Sequence, residues 1–341
     1  MMMPKIGFCC KWIDRADQVD GVRPNDDAKK YNTGTTTLAW MNRQTVSTAE
    51  DRLWSLVKQN IEACRLLVQR VAALPETLRM VRLSSDCLPL YTEPKWSYFY
   101  RQPDVIAYME RHFAAIGAIA RQCGVRLSFH PGQFTCIVSD KPAIVDSSIR
   151  ELEYHADMAK WMGYGKSRLD FKINIHLSGK NGSDAFDAAW NRMSPELRMM
   201  LTLENDEYQA GLDDLIVLKD RVAIVLDIHH HYIHSKGEYI AAGDDRIQDV
   251  IESWAGVRPV FHYSQSRSEY TVGHDSTLPD YSVLVETHNN TKLRAHSDFY
   301  HNRIVNSWAL SHLAWGDCMA EAKGKNLASY DLYQQYINGN I

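Results

Sequence analysis

Acidic and histidine side chains follow short apolar stretches of this chain. In the stretch Ala223–His231, four apolar residues are followed by Asp227 and then by three histidines. We predict a buried strand that delivers the carboxylate and the imidazoles at its carboxyl end. His230 would lie on the same face as Asp227 only if the chain turns after Asp227. Carboxylate and imidazole together are a typical donor set for zinc or manganese, with a solvated histidine cluster as the alternative.

Other predicted strands end in the same residue types. Arg126–Phe129, for example, leads directly into His130. The candidate donors at strand ends are His130, His176, Glu204, Asp227, His230, His262 and Glu321. Residues at the carboxyl ends of barrel strands meet at one rim, so we expect these side chains to share ions. These donors outnumber the four ligands of one tetrahedral site. We therefore predict two or three divalent ions, with Glu204 or Asp227 as a bridging carboxylate.

Strands and helices are predicted to alternate along the chain. The eight predicted strands are Lys5–Cys10, Leu78–Leu83, Arg126–Phe129, Leu169–Ile175, Leu201–Leu203, Ala223–His231, Pro259–Tyr263 and Cys318–Glu321. Helical periodicity predicts helices at Ser47–Leu74, Pro103–Cys123, Asp146–Met162, Gly211–Asp220, Asp244–Trp254, Asp298–Leu313 and Asn326–Tyr336. In 341 residues this alternation predicts the α/β class and a single-domain (β/α)8 TIM barrel over residues 1–341, with a metal cluster at the C-terminal ends of its strands. We predict a long loop at 11–48, after the first strand, and an insertion at 264–294, after the seventh.

Composition narrows the class of protein. The chain is 45% hydrophobic and has a formal net charge of -4, which argues against a generally basic nucleic-acid coat. DNA is not excluded, because local basic residues or metal ions can hold phosphates. The seven cysteines are scattered and odd in number, which indicates free thiols in a reducing compartment. We find no signal peptide or membrane span and expect a cytoplasmic, nucleoid-associated protein.

Short motifs distributed over nearly the whole chain carry a more specific signal. They lie at residues 82–86, 128–133, 175–179, 203–206, 227–230, 262–264, 296–298 and 321–325. The most specific are the blocks His130–Gln133 and Leu203–Asp206. In these motifs the chain resembles the UV damage endonucleases, which are barrel relatives of endonuclease IV.

The resemblance implies an activity and a set of ligands. Members of that family cut the DNA backbone immediately 5′ of UV photoproducts such as pyrimidine dimers, using clustered divalent metals, usually taken as manganese. Zinc and magnesium are the alternatives. The implied ligands are His130, His176, Glu204, Asp227, His230, His262, His296 and Glu321. We expect Glu204, Asp227, His262 and Glu321 to take part in catalysis directly. The expected partner is damaged double-stranded DNA, with no membrane and no obligate protein partner.

This chain departs from the family pattern at several positions. Where the family offers a further histidine ligand, the loop after the second strand has Glu93, which we expect to take its place. The alternative is that this metal is held by fewer ligands. Two residues before His262 the family has a lysine that can be carboxylated, and this chain has Val260. Phe8 stands where the family has a tyrosine, and the segment 264–294 is longer than usual.

DNA contacts are predicted on the loop that follows His130. By the resemblance, Gln133 and Phe134 fill the space left by extruded damaged nucleotides, with simple packing as the alternative for Phe134. Phe8 and Tyr91 are further candidates for stacking, with a packed lid as the alternative for the segment of Tyr91. The candidate phosphate contacts are Arg82, Lys172, Arg267 and Lys323, although isolated basic residues often lie on solvated surface.

The chemistry follows from the donor set. Hydrolysis of a phosphodiester needs a nucleophile near neutral pH and charge neutralisation on the phosphate and the departing 3′ oxygen, and clustered divalent ions supply both. Asp206 and Glu207 either orient the ligands or form a solvated turn.

Three other functions fit the same residues. An abasic-site endonuclease of the endonuclease IV type would nick abasic duplex in preference to irradiated duplex. A metal-dependent sugar isomerase would turn over an aldose and leave irradiated duplex intact. A DNA-binding relative that has lost catalysis would bind duplex without cutting it, at full metal occupancy.

Overall fold

Eight parallel strands form the centre of the protein. The computed structural model describes residues 3–14 and 26–339. The strands are β1 Ile6–Cys9, β2 Met80–Arg82, β3 Arg126–Phe129, β4 Lys172–His176, β5 Leu201–Glu204, β6 Ala223–Val225, β7 Val260–Tyr263 and β8 Asp317–Ala320. They are hydrogen-bonded in the order β6-β5-β4-β3-β2-β1-β8-β7, and each pairing is parallel. The predicted single-domain (β/α)8 barrel is confirmed.

Between β6 and β7 the barrel is closed by a short contact instead of a ladder. Asp227 and His262 form an isolated parallel bridge at this seam. The backbone N–H of His262 also donates to the carbonyl of Leu226, at 2.9 Å. Both bridging residues are candidate metal donors, so the closure of the barrel lies inside the predicted site.

Helices connect the strands. They are α1 Asp26–Lys29, α2 Leu38–Met41, α3 Val46–Ala72, α4 Pro103–Cys123, α5 Pro142–Trp161, α6 Phe186–Trp190, α7 Pro195–Met200, α8 Leu212–Ile216, α9 Ile228–His234, α10 Asp245–Ser253, α11 Tyr281–Leu284, α12 Asn290–Leu293, α13 Arg303–Ser311 and α14 Lys325–Ile337. In the described ranges none of these helices has both the length and the apolar character needed to cross a membrane.

Local sequence explains where the long helices begin and end. Helix α4 has its predicted bounds, with a proline in its first turn and Gly124 after its end, where φ is +64°. Helix α3 begins earlier than Ser47, because the hydroxyl of Thr45 caps it by accepting the N–H of Thr48 at 3.2 Å. Helix α5 likewise begins at Pro142, before the predicted Asp146.

The predicted sixth strand is too long. Strand β6 ends at Val225, and the three histidines lie in the short helix α9. The side chain of Asp227 caps this helix, since its Oδ1 accepts the N–H groups of His229 and His230 at 2.8 Å. The chain therefore turns at Asp227, and this turn decides which histidine meets the carboxylate.

The two long segments are only partly regular. Of the predicted loop 11–48, residues 15–25 lie outside the described residues, and α1 and α2 occupy part of the remainder. The segment 264–294 contains α11 and α12 and is fastened at its two ends, where the Ser266 hydroxyl donates to the carbonyl of Leu293 at 2.6 Å. That this segment is an insertion stays a prediction.

Candidate metal centre

The carboxyl ends of the strands bring the predicted donors together. His130 follows β3, His176 and Glu204 end β4 and β5, and His262 lies in β7. Asp227, Glu321 and His296 come from the connections that follow β6, β8 and β7. Two groups of side chains have ligand atoms within 4.8 Å of one another: His130, His176 and Glu204, and then Glu204, Asp227, His262 and Glu321. Glu204 belongs to both groups.

Glu204 is fully buried at the centre of the donors. Its Oε2 lies 3.0 Å from His130 Nε2 and 4.0 Å from His176 Nε2. Its Oε1 lies 2.9 Å from His262 Nδ1. One carboxylate thus faces imidazoles from several strands with both of its oxygens, which is the geometry of a bridging ligand.

The second group contains three carboxylates. The Nδ1 of His262 also lies 3.2 Å from Glu321 Oε1. His230 Nδ1, from helix α9, lies 3.8 Å from Asp227 Oδ2 and 3.7 Å from Glu204 Oε1. Because like charges repel in a buried site, acids this close together need either bound cations or protons between them.

Several donor atoms are buried without a hydrogen bond. In the described chain, Glu204 Oε1, Asp227 Oδ2 and His262 Nδ1 make no hydrogen bond of good geometry, although Glu204 Oε1 and His262 Nδ1 lie 2.9 Å apart. The capping oxygen of Asp227 is occupied, so the unpaired oxygen is the one that faces the other donors. Unsatisfied buried polar atoms are costly, and an ion bound among these atoms would satisfy all of them. The residues therefore fit a group of divalent cations.

The other histidines of helix α9 have different partners. His231 Nε2 lies 2.9 Å from Glu238 Oε2, and His229 lines a separate small cavity with Tyr232 and Gln265. His296 lies near His230, with ring centroids 6.1 Å apart, and its Nδ1 lies 2.9 Å from the backbone carbonyl of Glu321. His296 Nε2 is the nitrogen left for a ligand.

Burial and the charges of neighbouring groups shift the pKa values of the candidate ligands. Burial raises the pKa of Asp227 to about 7, although His230 opposes this. Burial by itself lowers the pKa of His230, but Asp227 and Glu204 raise it to about 9. Burial also raises the pKa of Glu204, yet His262 and His176 hold it well below its usual range. Asp227 and His230 therefore retain protons near neutral pH.

Metal affinity should rise with pH as a consequence. Metal ligands must be deprotonated, so ions compete with the protons on His230 and Asp227. Below the pKa of Asp227, metal binding displaces a proton from Asp227 and one from His230. Between about pH 7 and pH 9 it displaces only the proton of His230. We expect the apparent manganese affinity to rise about tenfold per pH unit over this upper range. Calorimetric titrations in buffers of different ionisation enthalpy measure both affinity and released protons.

The control for this prediction is His230→Gln. This variant should bind more weakly and lose the slope above pH 7, because the competing proton is gone. An unchanged affinity from pH 7 to pH 9 in the unaltered protein would contradict proton competition at His230.

Two predicted phosphate contacts are directed into the site instead. Arg82 is largely buried and forms an ion pair with the carboxylate of Glu321. Lys172 is buried, and its Nζ lies 2.8 Å from His262 Nε2. Both side chains are turned inward to other groups of the site, and contact of Arg82 or Lys172 with phosphate stays a prediction. Arg82 places a cation beside Glu321, and Lys172 places an amine beside His262.

Three further candidates lie away from the donors. Phe8 is only 1% exposed and packs edge-on against Trp12, so its prediction as a DNA contact is wrong. Tyr91 lines a different cleft, of about 750 Å³, where its hydroxyl donates to Asp157 Oδ2 at 3.1 Å. Glu93 contacts none of the predicted ligands in the described chain, and its carboxylate accepts the N–H of Lys95 at 3.5 Å.

The loop after His130 is open to solvent. Gln133 is exposed, and Phe134 is 84% exposed, the most of any large apolar side chain described. Both line a cleft of about 280 Å³ that also borders His130 and His176. Packing beneath the loop, the alternative interpretation of Phe134, is excluded by this exposure.

Comparison with known proteins identifies the family. A sequence profile described as UV-endonuclease UvdE matches residues 25–339. The chain belongs to this family. UV DNA damage endonucleases from Bacillus cereus (strain B4264) and Bacillus mycoides (strain KBAB4) are 27% and 28% identical to it over 299 and 298 residues. The matches cover 84% and 83% of this chain, and 83% and 82% of those proteins.

Solved structures show the same fold. The crystal structure of SacUVDE superposes with a TM-score of 0.74, with 20% identity and coverage of 100% of both chains. Endonuclease IV from Thermus thermophilus superposes with a TM-score of 0.50 and 13% identity, over 81% of this chain and 93% of that one. Membership of the UvdE family and this fold together support a DNA repair endonuclease.

Some residues that order the UvdE-family site were not predicted. The amide of Asn174 donates to Glu204 Oε2, and its Oδ1 accepts the Thr202 hydroxyl at 2.7 Å. Asn205 holds the turn at Asp227, accepting its N–H at 2.8 Å and donating to its carbonyl at 3.0 Å. Strand alternation could have predicted that Asn174 faces the site, because Asn174 shares one face of β4 with Lys172 and His176.

Of the two acids predicted to orient ligands, Glu207 has the matching geometry. Glu207 is buried, lies 3.9 Å from His230 Nε2 and pairs with Arg294. Asp206 instead orders the turn, because its Oδ1 accepts the N–H groups of Tyr208 and Gln209 at 2.7 and 2.9 Å.

Proposed function

We propose that this protein is a metal-dependent endonuclease that hydrolyses the phosphodiester 5′ of UV photoproducts in double-stranded DNA. The observation that carries the proposal is Glu204, a buried carboxylate shared by two groups of potential metal ligands. Membership of the UvdE family supplies the reason to expect DNA as the substrate.

The ligands divide into those at the reacting phosphate and those that complete the metal sites. We propose that Glu204, Asp227, His262 and Glu321 act directly at the reacting phosphate through two or three divalent ions, with manganese expected. Such ions supply a water activated near neutral pH and neutralise charge on the phosphate and the leaving oxygen. The ligand set is completed by His130, His176, His230 and His296. Asn174 and Glu207 hold Glu204 and His230 in position, as hydrogen-bonded partners of metal ligands do.

Arg82 offsets part of the negative charge of the second group. Three carboxylates meet there, and the guanidinium of Arg82 from β2 pairs with Glu321. Lys172 from β4 lies against His262, and burial lowers the pKa of its amine to about 7. Arg82 holds the pKa of Glu321 well below its usual range, although burial opposes it. The carboxylate of Glu321 is therefore ionised and available as a ligand across the physiological pH range.

Incision of a single defined lesion tests this function. The substrate is an end-labelled duplex with one pyrimidine dimer, compared with an undamaged duplex and with one that carries an abasic site. We expect a nick immediately 5′ of the dimer in the presence of manganese and none in the presence of a chelator. Faster cutting of the abasic duplex would instead favour an activity of the endonuclease IV type.

Replacement of Gln133 tests lesion recognition. Gln133 is exposed and lines the same cleft as His130 but belongs to neither group of potential metal ligands, so Gln133→Ala should leave metal content unchanged. We expect the preference for dimer-containing over intact duplex to fall by about tenfold, the effect of one lost polar contact to a base. Competition binding with the two duplexes measures this ratio. Equal losses of lesion preference and metal content would contradict a probing role.

A further inference from the structure

A second aromatic side chain faces the cleft beside the metal centre. The cleft of about 280 Å³ is bordered by His130 and His176 on one side, by Phe134 on its loop, and by Tyr208 and Arg294. Tyr208 is 50% exposed. Two exposed aromatic rings thus border one opening that leads to the candidate ligands.

Tyr208 is held in place although its ring is not buried. Its backbone N–H donates to Asp206 Oδ1 at 2.7 Å, in the turn that follows strand β5 and Glu204. The guanidinium of Arg294 lies over the ring, 5.1 Å from its centroid. Exposed aromatic rings with fixed backbones are the surfaces on which unstacked bases bind, because each base offers a π-face.

Arg294 is anchored and still partly open. It forms an ion pair with Glu207, which is itself buried beside His230. The side chain of Arg294 nevertheless retains 43% of its exposure. Guanidinium has five N–H donors, so one carboxylate leaves donors that can bind a phosphate oxygen. Glu207 therefore fixes the position of a cation at the mouth of the cleft.

We propose that Tyr208 and Arg294 hold one unstacked nucleotide of the DNA strand beside the metal centre, with its base on Tyr208 and its phosphate on Arg294. This inference rests on the proposed function, since it takes DNA as the substrate. The segment 264–294 supplies Arg294 and so takes part in substrate binding. A nucleotide fits better than a free phosphate because the ring and the cation lie on the same side of one cleft.

The test compares the binding of matched variants to a labelled duplex that carries one pyrimidine dimer, in the presence of a chelator. Tyr208→Ala should weaken binding by about five- to a hundredfold, the range found for loss of one base-stacking ring. Tyr208→Phe should bind within about twofold of the unaltered protein, because a base stacks on either ring. Tyr330→Ala is the control, since Tyr330 is also 50% exposed but lines a different cleft, with Phe8 and Trp12.

The salt dependence separates the two contacts. Arg294→Gln should reduce the slope of log affinity against log salt by about one, as loss of one phosphate contact does, and Tyr208→Ala should leave that slope unchanged. Metal content and melting temperature are measured for every variant. An unchanged slope in Arg294→Gln, with or without loss of metal, would overturn the phosphate contact. Equal binding by Tyr208→Ala and Tyr330→Ala would overturn the stacking contact.

Incision by the unaltered protein distinguishes failure of the proposed endonuclease function from failure of the roles proposed for Tyr208 and Arg294. If it binds the duplex without nicking it under manganese, the proposed function fails, and the binding comparison still decides the roles of Tyr208 and Arg294. If it nicks 5′ of the dimer while the variants behave like Tyr330→Ala, only the inference fails. If it does not bind DNA at all, both are overturned.

Discussion

Glu204→Gln is expected to reduce incision of dimer-containing duplex by more than about a hundredfold, because partners outside the ligand set already cost up to that factor when removed. Glutamine has nearly the same shape but carries no charge, and it cannot bridge two cations with two anionic oxygens. Glu204 contacts His130, His262 and, at longer range, His176, so both groups of donors lose a ligand at once. The measurement is the single-turnover rate on an end-labelled substrate.

The fold should survive this change. Glutamine changes the charge of this side chain at the carboxyl end of β5 but keeps nearly the same shape, so the packing of the barrel around it is retained. Circular dichroism should therefore be unchanged, while metal content measured by mass spectrometry falls. Glu110→Gln, an exposed position in α4, is the matched control and should retain full activity. Near-normal incision by Glu204→Gln would contradict the bridging role.

Removal of metal is expected to abolish incision and to lower the melting temperature by several degrees. Chelation leaves Glu204 Oε1, Asp227 Oδ2 and His262 Nδ1 buried without a well-formed hydrogen bond. Bound ions stabilise only the folded state, by about 2.7 kcal/mol when their concentration is a hundred times the dissociation constant. Thermal unfolding with and without a chelator, followed by addition of manganese, measures both effects.

The specificity of the metal effect can be checked within the same experiment. Glu204→Gln should melt at nearly the same temperature with and without the chelator, since it has little metal to lose. Full incision by protein shown to be free of metal would contradict a metal-dependent reaction. A response of the variant equal to that of the unaltered protein would place the stabilising ions elsewhere.

Much of the architecture was predictable because it depends on local patterns. The bounds of α4 follow from Pro103 and Gly124, and β3 follows from a short apolar run. The donors at strand ends were predictable too, because parallel strands in a barrel place their carboxyl ends at one rim. His130 and Glu204, for example, lie 3.0 Å apart although they are separated by 74 positions in the chain.

The remaining features depend on contacts that sequence does not reveal. The turn at Asp227 requires the hydrogen bonds of Asn205, which comes from another strand. Lys172 was expected at a phosphate, and its contact with His262 on β7 could not be predicted from the sequence of either strand. Phe8 was predicted as a DNA contact from its position in the family pattern, which carries no information about its burial.

Exposure was the hardest property to predict. Tyr91 and Phe134 are both aromatic residues in polar loops, yet Tyr91 stacks on Tyr154 with ring centroids 4.8 Å apart and Phe134 projects into solvent. Tyr91 is covered because Tyr154 of helix α5 packs against its ring. Tyr208 gave no separate signal, since a lone tyrosine in a turn after a strand is common.

The barrel should open locally at the seam between β6 and β7 more often in the metal-free protein than in the metal-bound protein. Only the Asp227 and His262 bridge and one nearby amide contact join these strands in the described chain, and both residues are candidate ligands. Ions bound by both residues would strengthen the contact between β6 and β7 and so stabilise the closed barrel. The backbone amide of His262 should then exchange with deuterium more slowly in the metal-bound protein than in the metal-free protein. The exchange rate of this one amide reports how stably the barrel is closed.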